Sequence, residues 1–319
     1  MNNDNSEIKL VLLKILSYFS LVIILIGVIF NTLTFLVIVL NKVLRKTSSM
    51  VYLLYVSIFY TLSLLVWNLN HFLYPNFGIE LESLNMITCK ILTFIQFFSL
   101  QSSGFLLTIL CIDRYITVIS TPGSFASRLP FRTAKSAHIC SVLIMSLVFI
   151  LNSHILILNG KYNIKKYPNS TITKIKFICT VYSTGFSIYP VWENVHLILY
   201  SLVPFVIMGA FNVLLIKKIS LKKRNYSTSN QKMDSVKKNI QSLLVITFLF
   251  LIMTVPTSIA YGFFPGKVSN LVLFALDDLS FLNNSILFFT CFLTNFKFRK
   301  TIYYMLDKTK IKDKKPTKN

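Results

Sequence analysis

Seven long windows without Asp, Glu, Lys or Arg set the pattern of hydrophobic and polar positions along the chain. They cover residues 15–41, 47–79, 91–112, 136–160, 194–216, 239–266 and 279–296. A helix of about 20 apolar residues crosses the hydrocarbon core of a bilayer, and its backbone groups satisfy one another within the helix. The pattern therefore predicts an all-α fold, a seven-transmembrane helix bundle over residues 15–296, with residues 1–14 before it and 297–319 after it.

Two acidic residues directly precede the last window. The apolar stretch 268–276 precedes Asp277 and Asp278 and extends the seventh helix at its start. We therefore expect both acids within the membrane or just below its surface. Carboxylates at that depth are costly, so they indicate a partner or a function.

Composition and charge fix the class of protein and its orientation. The chain has 54% hydrophobic and 14% charged residues, and its formal net charge of +22 comes from 33 Lys+Arg against 11 Asp+Glu. Such a charge is typical of nucleic-acid binding, but the apolar content is that of a membrane protein. The basic residues cluster in 42–46, 114–135, 217–238 and 297–318. The positive-inside rule then predicts a multi-pass membrane protein with its N-terminus outside and its C-terminus on the cytoplasmic side.

Two cysteines fall on the outer, oxidising side of this topology. Cys89 lies just before the third window and Cys179 lies in the longest outer loop. A disulfide between them is expected in that compartment, and the alternative is two unrelated thiols. The inner basic residues likewise have two interpretations, because they can serve topology alone or also bind anionic inner-leaflet lipid. We expect no nucleic-acid partner.

The end of the third window carries the most specific motif. Twenty-four residues after Cys89, the window is followed by Asp113-Arg114-Tyr115. In the third of seven helices, this spacing resembles that of the rhodopsin-like (class A) G-protein-coupled receptors, and the resemblance covers nearly all of the chain. It implies an extracellular ligand and coupling to a heterotrimeric G protein. An Arg beside an Asp can be held in one state and freed in another, as a switch requires.

Further positions support the resemblance. Asn31 matches the signature of the first helix and Pro204 the proline of the fifth. Phe250 and Pro256 match the pair that flanks the moving segment of the sixth helix. Residues 297–319 begin as a short amphipathic helix along the inner membrane surface. There we expect a lipid-facing stripe of apolar side chains at Phe298, Ile302 and Leu306.

The chain also departs from the family pattern. Tyr60 occupies the position of the family's helix-two Asp, and Thr254 occupies the position of its helix-six Trp. Residues 287–291 replace its Asn-Pro-x-x-Tyr motif. Without the helix-two carboxylate, a bound sodium ion has no charged ligand in the bundle. Residues 52–54 and 152–157 are similar to segments of the invertebrate FMRFamide and related neuropeptide receptors.

The resemblance places a ligand pocket at the outer halves of the third, fifth, sixth and seventh helices. Gln96, Ser99 and Ser103 share one face of the third helix. Gln96 takes the position of the Asp of amine receptors, which disfavours an aminergic ligand. Phe281 takes the position of the Lys that attaches retinal in visual pigments, which excludes an opsin.

Acidic residues give this pocket its expected character. Glu193, His196 and Asp277 suit a basic ligand, such as a peptide bearing Arg, through charge-assisted hydrogen bonds. Alternatively, Glu193 is solvated and Asp277 pairs with a nearby lysine: Lys174, Lys176 or Lys267. Tyr261 and Phe281 either line the pocket or are simply packed.

The remaining signals are few. His71 and His154 lie near outer helix ends and are expected at the membrane interface. Asn169 begins a glycosylation sequon in the outer loop. We find no catalytic constellation, metal-ligand cluster or cofactor motif, so the chain is not expected to be an enzyme. The rival function is a membrane transporter or channel, which would favour interrupted helices in two matching halves.

Overall fold

The computed structural model describes residues 2–120, 133–166, 173–182, 188–225, 230–264 and 266–313. Six helical spans in these ranges are long and apolar enough to cross a membrane: Glu7–Leu40, Ser48–Phe77, Met86–Ile119, Ala134–Leu158, Glu193–Lys218 and Leu244–Phe263. A seventh span consists of Asn270–Ser285 and Leu287–Leu293, which meet at a bend of 47°. The predicted seven-helix bundle is confirmed, and we number these spans one to seven.

The helices extend beyond the spans and change geometry within two of them. Their bounds are Asn2–Leu40, Lys42–Arg45, Ser48–Ser63, Leu69–Phe77, Met86–Ile119, Ala134–Leu158, Glu193–His196, Val203–Asn225, Asn230–Phe263, Asn270–Ser285, Leu287–Thr294 and Phe296–Asp313. A 3₁₀ turn covers Leu81–Ser83, and π-helical turns cover Leu64–Asn68, Ile188–Trp192 and Leu197–Leu202. Because the first helix begins at Asn2, residues 2–14 continue the first span as helix.

A β-hairpin at one end of the bundle is an addition to the predicted all-α fold. Strand β1, Asn159–Lys166, pairs antiparallel with strand β2, Thr173–Tyr182. Cys179 on β2 forms a disulfide with Cys89 at the start of the third span, with the two Cα atoms 5.7 Å apart. The predicted disulfide is therefore confirmed. We call this end of the bundle the disulfide end, and the opposite end the Arg114 end.

The break in the seventh span occurs without a proline. The side-chain amide of Asn31 in the first span donates a hydrogen bond to the backbone carbonyl of Asn284. The hydroxyl of Ser285 donates to the carbonyl of Leu282, and that of Thr290 donates to Leu287. Side-chain donors that compete for helix carbonyls bend a helix. The seventh span thus bends at the segment where the family carries its proline motif.

The helix Phe296–Asp313 follows the seventh span at the Arg114 end. Phe298 is 0% exposed and meets the ring of Phe288 at a centroid distance of 5.8 Å. Ile302 also packs against the core of the bundle. The predicted lipid-facing stripe is therefore wrong for these two residues, which pack against the bundle instead. The side chain of Leu306, the third residue of the stripe, lies outside the described part of the chain.

Candidate functional site

A cavity lies between spans two, three, five, six and seven toward the disulfide end. Its empty volume is about 520 Å³ including its open mouth. The residues that line it are Trp67, Gln96, Phe97, Leu100, Glu193, His196, Tyr200, Thr257, Ser258, Tyr261, Asp277, Ser280 and Phe281. Six of the residues singled out in the sequence thus come together around one space.

Ser99 is the exception among those predictions. It is fully buried in the third span and does not belong to the lining. The lining residues of this span are Gln96, Phe97 and Leu100, which share a helical face at i, i+1 and i+4. The face toward the cavity is therefore rotated by about one residue from the face that carries Gln96 and Ser99.

The acidic wall of the cavity is formed by the seventh span. Asp277 and Asp278 are 4% and 2% exposed. The hydroxyl of Tyr261 donates a hydrogen bond of 2.7 Å to Oδ2 of Asp277. The hydroxyl of Ser20 donates to Oδ1 of Asp278. Both carboxylates are thus held by neighbouring spans, and of the two only Asp277 lines the cavity.

His71 was not expected at this site. Its Nε2 lies 3.4 Å from Oδ2 of Asp277, its Nδ1 lies 4.0 Å from Oδ1 of Asp278, and its side chain is 11% exposed. The prediction of an interfacial position is therefore wrong. A single His near a helix end gave no signal of this contact, because hydropathy does not indicate which neighbouring helix a side chain meets.

The expected alternative partners of Asp277 were three lysines. The described ion pair of Asp277 is with His71, not with Lys267. The side chains of Lys174 and Lys176 lie outside the description.

A second polar chain leads from the cavity to the fourth span. Nε2 of Gln101 lies 3.3 Å from Nδ1 of His196, and Asn152 donates a 2.7 Å hydrogen bond to Oε1 of Gln101. The ring of His196 stacks on Tyr200 at 5.0 Å. This chain fixes the orientation of His196 in the wall. Gln101 and Asn152 could have been noticed as polar residues within apolar windows.

Below the cavity, Tyr60 occupies the centre of the bundle. Its hydroxyl accepts a 3.0 Å hydrogen bond from Nδ2 of Asn283. Asn284 donates to the hydroxyl of Ser63 at 3.4 Å. At this helix-two position, where the chain departs from the family pattern, the neutral side chain of Tyr60 therefore has a hydrogen-bond partner in the seventh span.

The sixth span connects the cavity to the middle of the bundle. Phe250 is buried and meets Tyr200 edge to face at 5.6 Å. Pro256 lies within the helix Asn230–Phe263. Next to it, the hydroxyl of Thr257 donates a 2.7 Å hydrogen bond to the carbonyl of Leu276 in the seventh span. The sixth span therefore contacts the fifth span at Phe250 and the seventh span at Thr257.

At the Arg114 end, the predicted Asp-Arg pair is present. Nη2 of Arg114 lies 3.4 Å from Oδ2 of Asp113. Ser48 of the second span donates to the same Oδ2 at 2.9 Å and accepts from Arg114 at 3.3 Å. Tyr115 meets the ring of Phe211 in the fifth span at 5.4 Å. The arginine is thus held by one acid and one hydroxyl, and Ser48 is an additional member of the group.

The comparison with known families identifies the chain. The family model for the 7 transmembrane receptor (rhodopsin family) matches residues 30–294. The chain belongs to this family. A search of curated proteins finds no match.

Membership has direct consequences for the protein. It is a rhodopsin-like receptor, a multi-pass membrane protein that acts through heterotrimeric G proteins in response to an extracellular ligand. The family is generally non-enzymatic, and the match favours a receptor over a transporter or channel. Among the described residues, no group of three or more His, Cys, Asp or Glu could hold a metal ion. The predicted glycosylation site, Asn169, lies outside the described residues.

Proposed function

We propose that this rhodopsin-like receptor binds a ligand with a cationic group, such as a neuropeptide bearing Arg, at the plasma membrane. The observation that carries the proposal is the pair of carboxylates, Glu193 and Asp277, that line one cavity from the fifth and seventh spans. The lining in the described part of the chain includes no Lys or Arg. A ligand cation would therefore meet two acids and no fixed competing ammonium or guanidinium within the cavity itself.

The walls of the cavity support the same ligand class. Trp67, Tyr261 and Phe281 place aromatic rings around the acids, and a cation over an aromatic face gains additional attraction. Gln96 offers an amide that can both donate and accept. One end of a peptide ligand would lie between these walls, next to the two acids. The rest of a longer ligand would lie against the disulfide end, where the hairpin is.

Orientation and lipid contact form the second part of the proposal. The disulfide end faces outward and the Arg114 end inward, because the basic residues cluster in the connections of the Arg114 end and in 297–318. The same cations attract anionic inner-leaflet lipid. Asn169 would then be available for glycosylation on the outside. Epitope tags at the two termini of intact and permeabilised cells test this orientation.

The ligand proposal is tested by neutralising each acid. Peptides with a free N-terminus and an amidated C-terminal Arg are screened for G-protein activation, with citrulline analogues as neutral controls. We expect Asp277→Asn and Glu193→Gln to raise the half-maximal concentration of an active peptide about tenfold or more at equal surface expression. Glu80→Gln, an outer acid that does not line the cavity, is the matched control. Unchanged potency of every active peptide in both variants would contradict the proposal.

A further inference from the structure

The two acids of the seventh span require a positive counter-charge, and the described lining of the cavity contains no Lys or Arg. Asp277 and Asp278 are adjacent, and both are almost completely buried within a membrane-spanning helix. Two carboxylates in such surroundings are strongly disfavoured unless a cation and hydrogen-bond donors compensate them. Tyr261 and Ser20 each donate one hydrogen bond, but a hydroxyl carries no charge.

His71 is placed to compensate both acids. Its two ring nitrogens face different carboxylates, with Nε2 3.4 Å from Asp277 and Nδ1 4.0 Å from Asp278. In the described side chains, no other basic group lies within 4.0 Å of either aspartate. These are ion-pair distances, and no hydrogen bond of Nδ1 is among the described contacts. The ring can therefore compensate the two acids only through its charge.

The position of the ring is also fixed by packing. Phe274 of the seventh span meets His71 at a centroid distance of 4.1 Å, Trp67 at 6.0 Å and Phe281 at 6.2 Å. Trp67 and Phe281 themselves line the cavity. His71 does not, so it contacts Asp277 from behind the cavity wall.

We infer that His71 is the resident counter-ion of Asp277, and that a cationic ligand in the cavity competes with His71 for the charge of this carboxylate. The inference rests on the proposed ligand class. A cation on one side of a carboxylate repels a second cation on the other side. The second cation is therefore bound less strongly than it would be by the carboxylate alone. Among the described residues, the other titratable groups around this carboxylate are Asp278 in the seventh span, Tyr261 in the sixth and Glu193 in the fifth.

The competition has a structural consequence. The His71–Asp277 pair joins the second span to the seventh at the disulfide end. Coupling between two binding events is reciprocal. If the His71–Asp277 pair weakens the binding of the ligand cation, the bound cation weakens the pair by the same free energy. Ligand binding thereby loosens one contact between spans two and seven.

The test uses purified full-length receptor and argininamide as the probe. Affinity is measured from the concentration-dependent rise in unfolding temperature, with citrullinamide, which replaces the guanidinium by a neutral urea, as the control ligand. His71→Phe keeps an aromatic ring against Phe274 and removes the charge. We expect argininamide to bind this variant about tenfold more tightly than the wild type. We expect binding to be lost in Asp277→Asn and unchanged in His154→Phe, which changes a histidine that has no acidic contact among the described residues.

The outcomes separate this inference from the ligand proposal. Equal or weaker binding of argininamide by His71→Phe, with the wild type still binding, overturns the competition and leaves the cationic ligand standing. Binding by neither protein overturns the proposed ligand class and the competition together.

If His71→Phe is too unstable to purify, His71→Gln serves in its place, because glutamine retains a donor without a charge. A double-mutant cycle on unfolding temperature with Asp277→Asn then checks the pair itself. Additive shifts would show that His71 and Asp277 do not interact, and would also overturn the inference.

Discussion

The side-chain amide of Asn31 donates a 2.9 Å hydrogen bond to the backbone carbonyl of Asn284, two residues before the seventh span bends at Ile286. This contact joins the first span to the break in the seventh. It gives a local reason for a bend that lacks the proline of the family motif, because the carbonyl has a partner outside its own helix.

Replacing Asn31 should therefore destabilise the bundle at this break. Asn31→Ala leaves a buried carbonyl without its donor, and we expect it to lower the free energy of unfolding by about 1–3 kcal/mol. Thermal unfolding of the purified receptor measures this loss. Thr34→Ala, which removes a hydrogen bond within the first span only, should have a smaller effect. Equal losses in the two variants would show that the contact with Asn284 has no special role.

Ser48 should restrain the switch at the Arg114 end. Its hydroxyl contacts both Asp113 and Arg114, so it stabilises the arrangement in which the arginine is held. We expect Ser48→Ala to raise ligand-independent G-protein activation about two- to fivefold, the effect of losing about 0.5–1 kcal/mol of hydrogen bonding. The control is Ser49→Ala. Ser49 lines a small cavity together with Arg114, but it has no hydrogen bond to Asp113 or Arg114 among the described contacts. Unchanged basal activity in Ser48→Ala would argue against this role.

Sodium should not modulate agonist affinity. Tyr60 fills the helix-two position with a neutral phenol that accepts a hydrogen bond from Asn283, and hard cations require anionic or several carbonyl oxygens. Agonist competition curves in NaCl and in KCl at equal ionic strength should therefore coincide. A selective loss of affinity in NaCl would contradict this interpretation of the bundle centre.

Glu82 should make stability depend on pH at the disulfide end. It lies in the 3₁₀ turn between the second and third spans, where burial, and then the neighbouring Glu80, raise the pKa of its carboxyl to about 7. Because the folded pKa lies above the unfolded one, the folded state binds the proton more tightly, and stability falls as the pH rises from about 4.5 to about 7.

Glu82→Gln should remove this loss. We expect the variant to unfold at a higher temperature than the wild type at pH 8 and at the same temperature at pH 4.5 and below. Glu7→Gln, at an exposed position of the first helix, is the control. A stabilisation of Glu82→Gln that is the same at both pH values would contradict the assignment.

The sequence predicted the spans because hydropathy and backbone satisfaction determine them locally. It also predicted the Cys89–Cys179 bond and the Asp113–Arg114 pair, which depend on topology or on adjacency in the chain. Lateral contacts were not predictable in the same way. His71 lies in an apolar window and Phe298 in an amphipathic helix. Either side chain can face lipid or protein, and its burial depends on which helix packs beside it.

The rotation of the third span and the hairpin illustrate two further limits. Gln96 and Ser99 share a helical face by spacing, but only the packed bundle decides that the cavity lies one residue to the side of Ser99. Most of the hairpin lies between two membrane windows, where the hydropathy pattern of spanning helices does not indicate strand pairing.

A cationic ligand is proposed to act through Arg114 on a G protein. The most direct measurement is nucleotide exchange on a panel of heterotrimeric G proteins by the full-length receptor in membranes, with the Arg-terminated peptides and their citrulline analogues. We expect at least one Arg peptide to accelerate exchange at least tenfold more effectively than its citrulline analogue, and Arg114→Ala to abolish the response at equal expression. Undiminished exchange with Arg114→Ala, or equal potency of the citrulline analogues, would contradict this proposal.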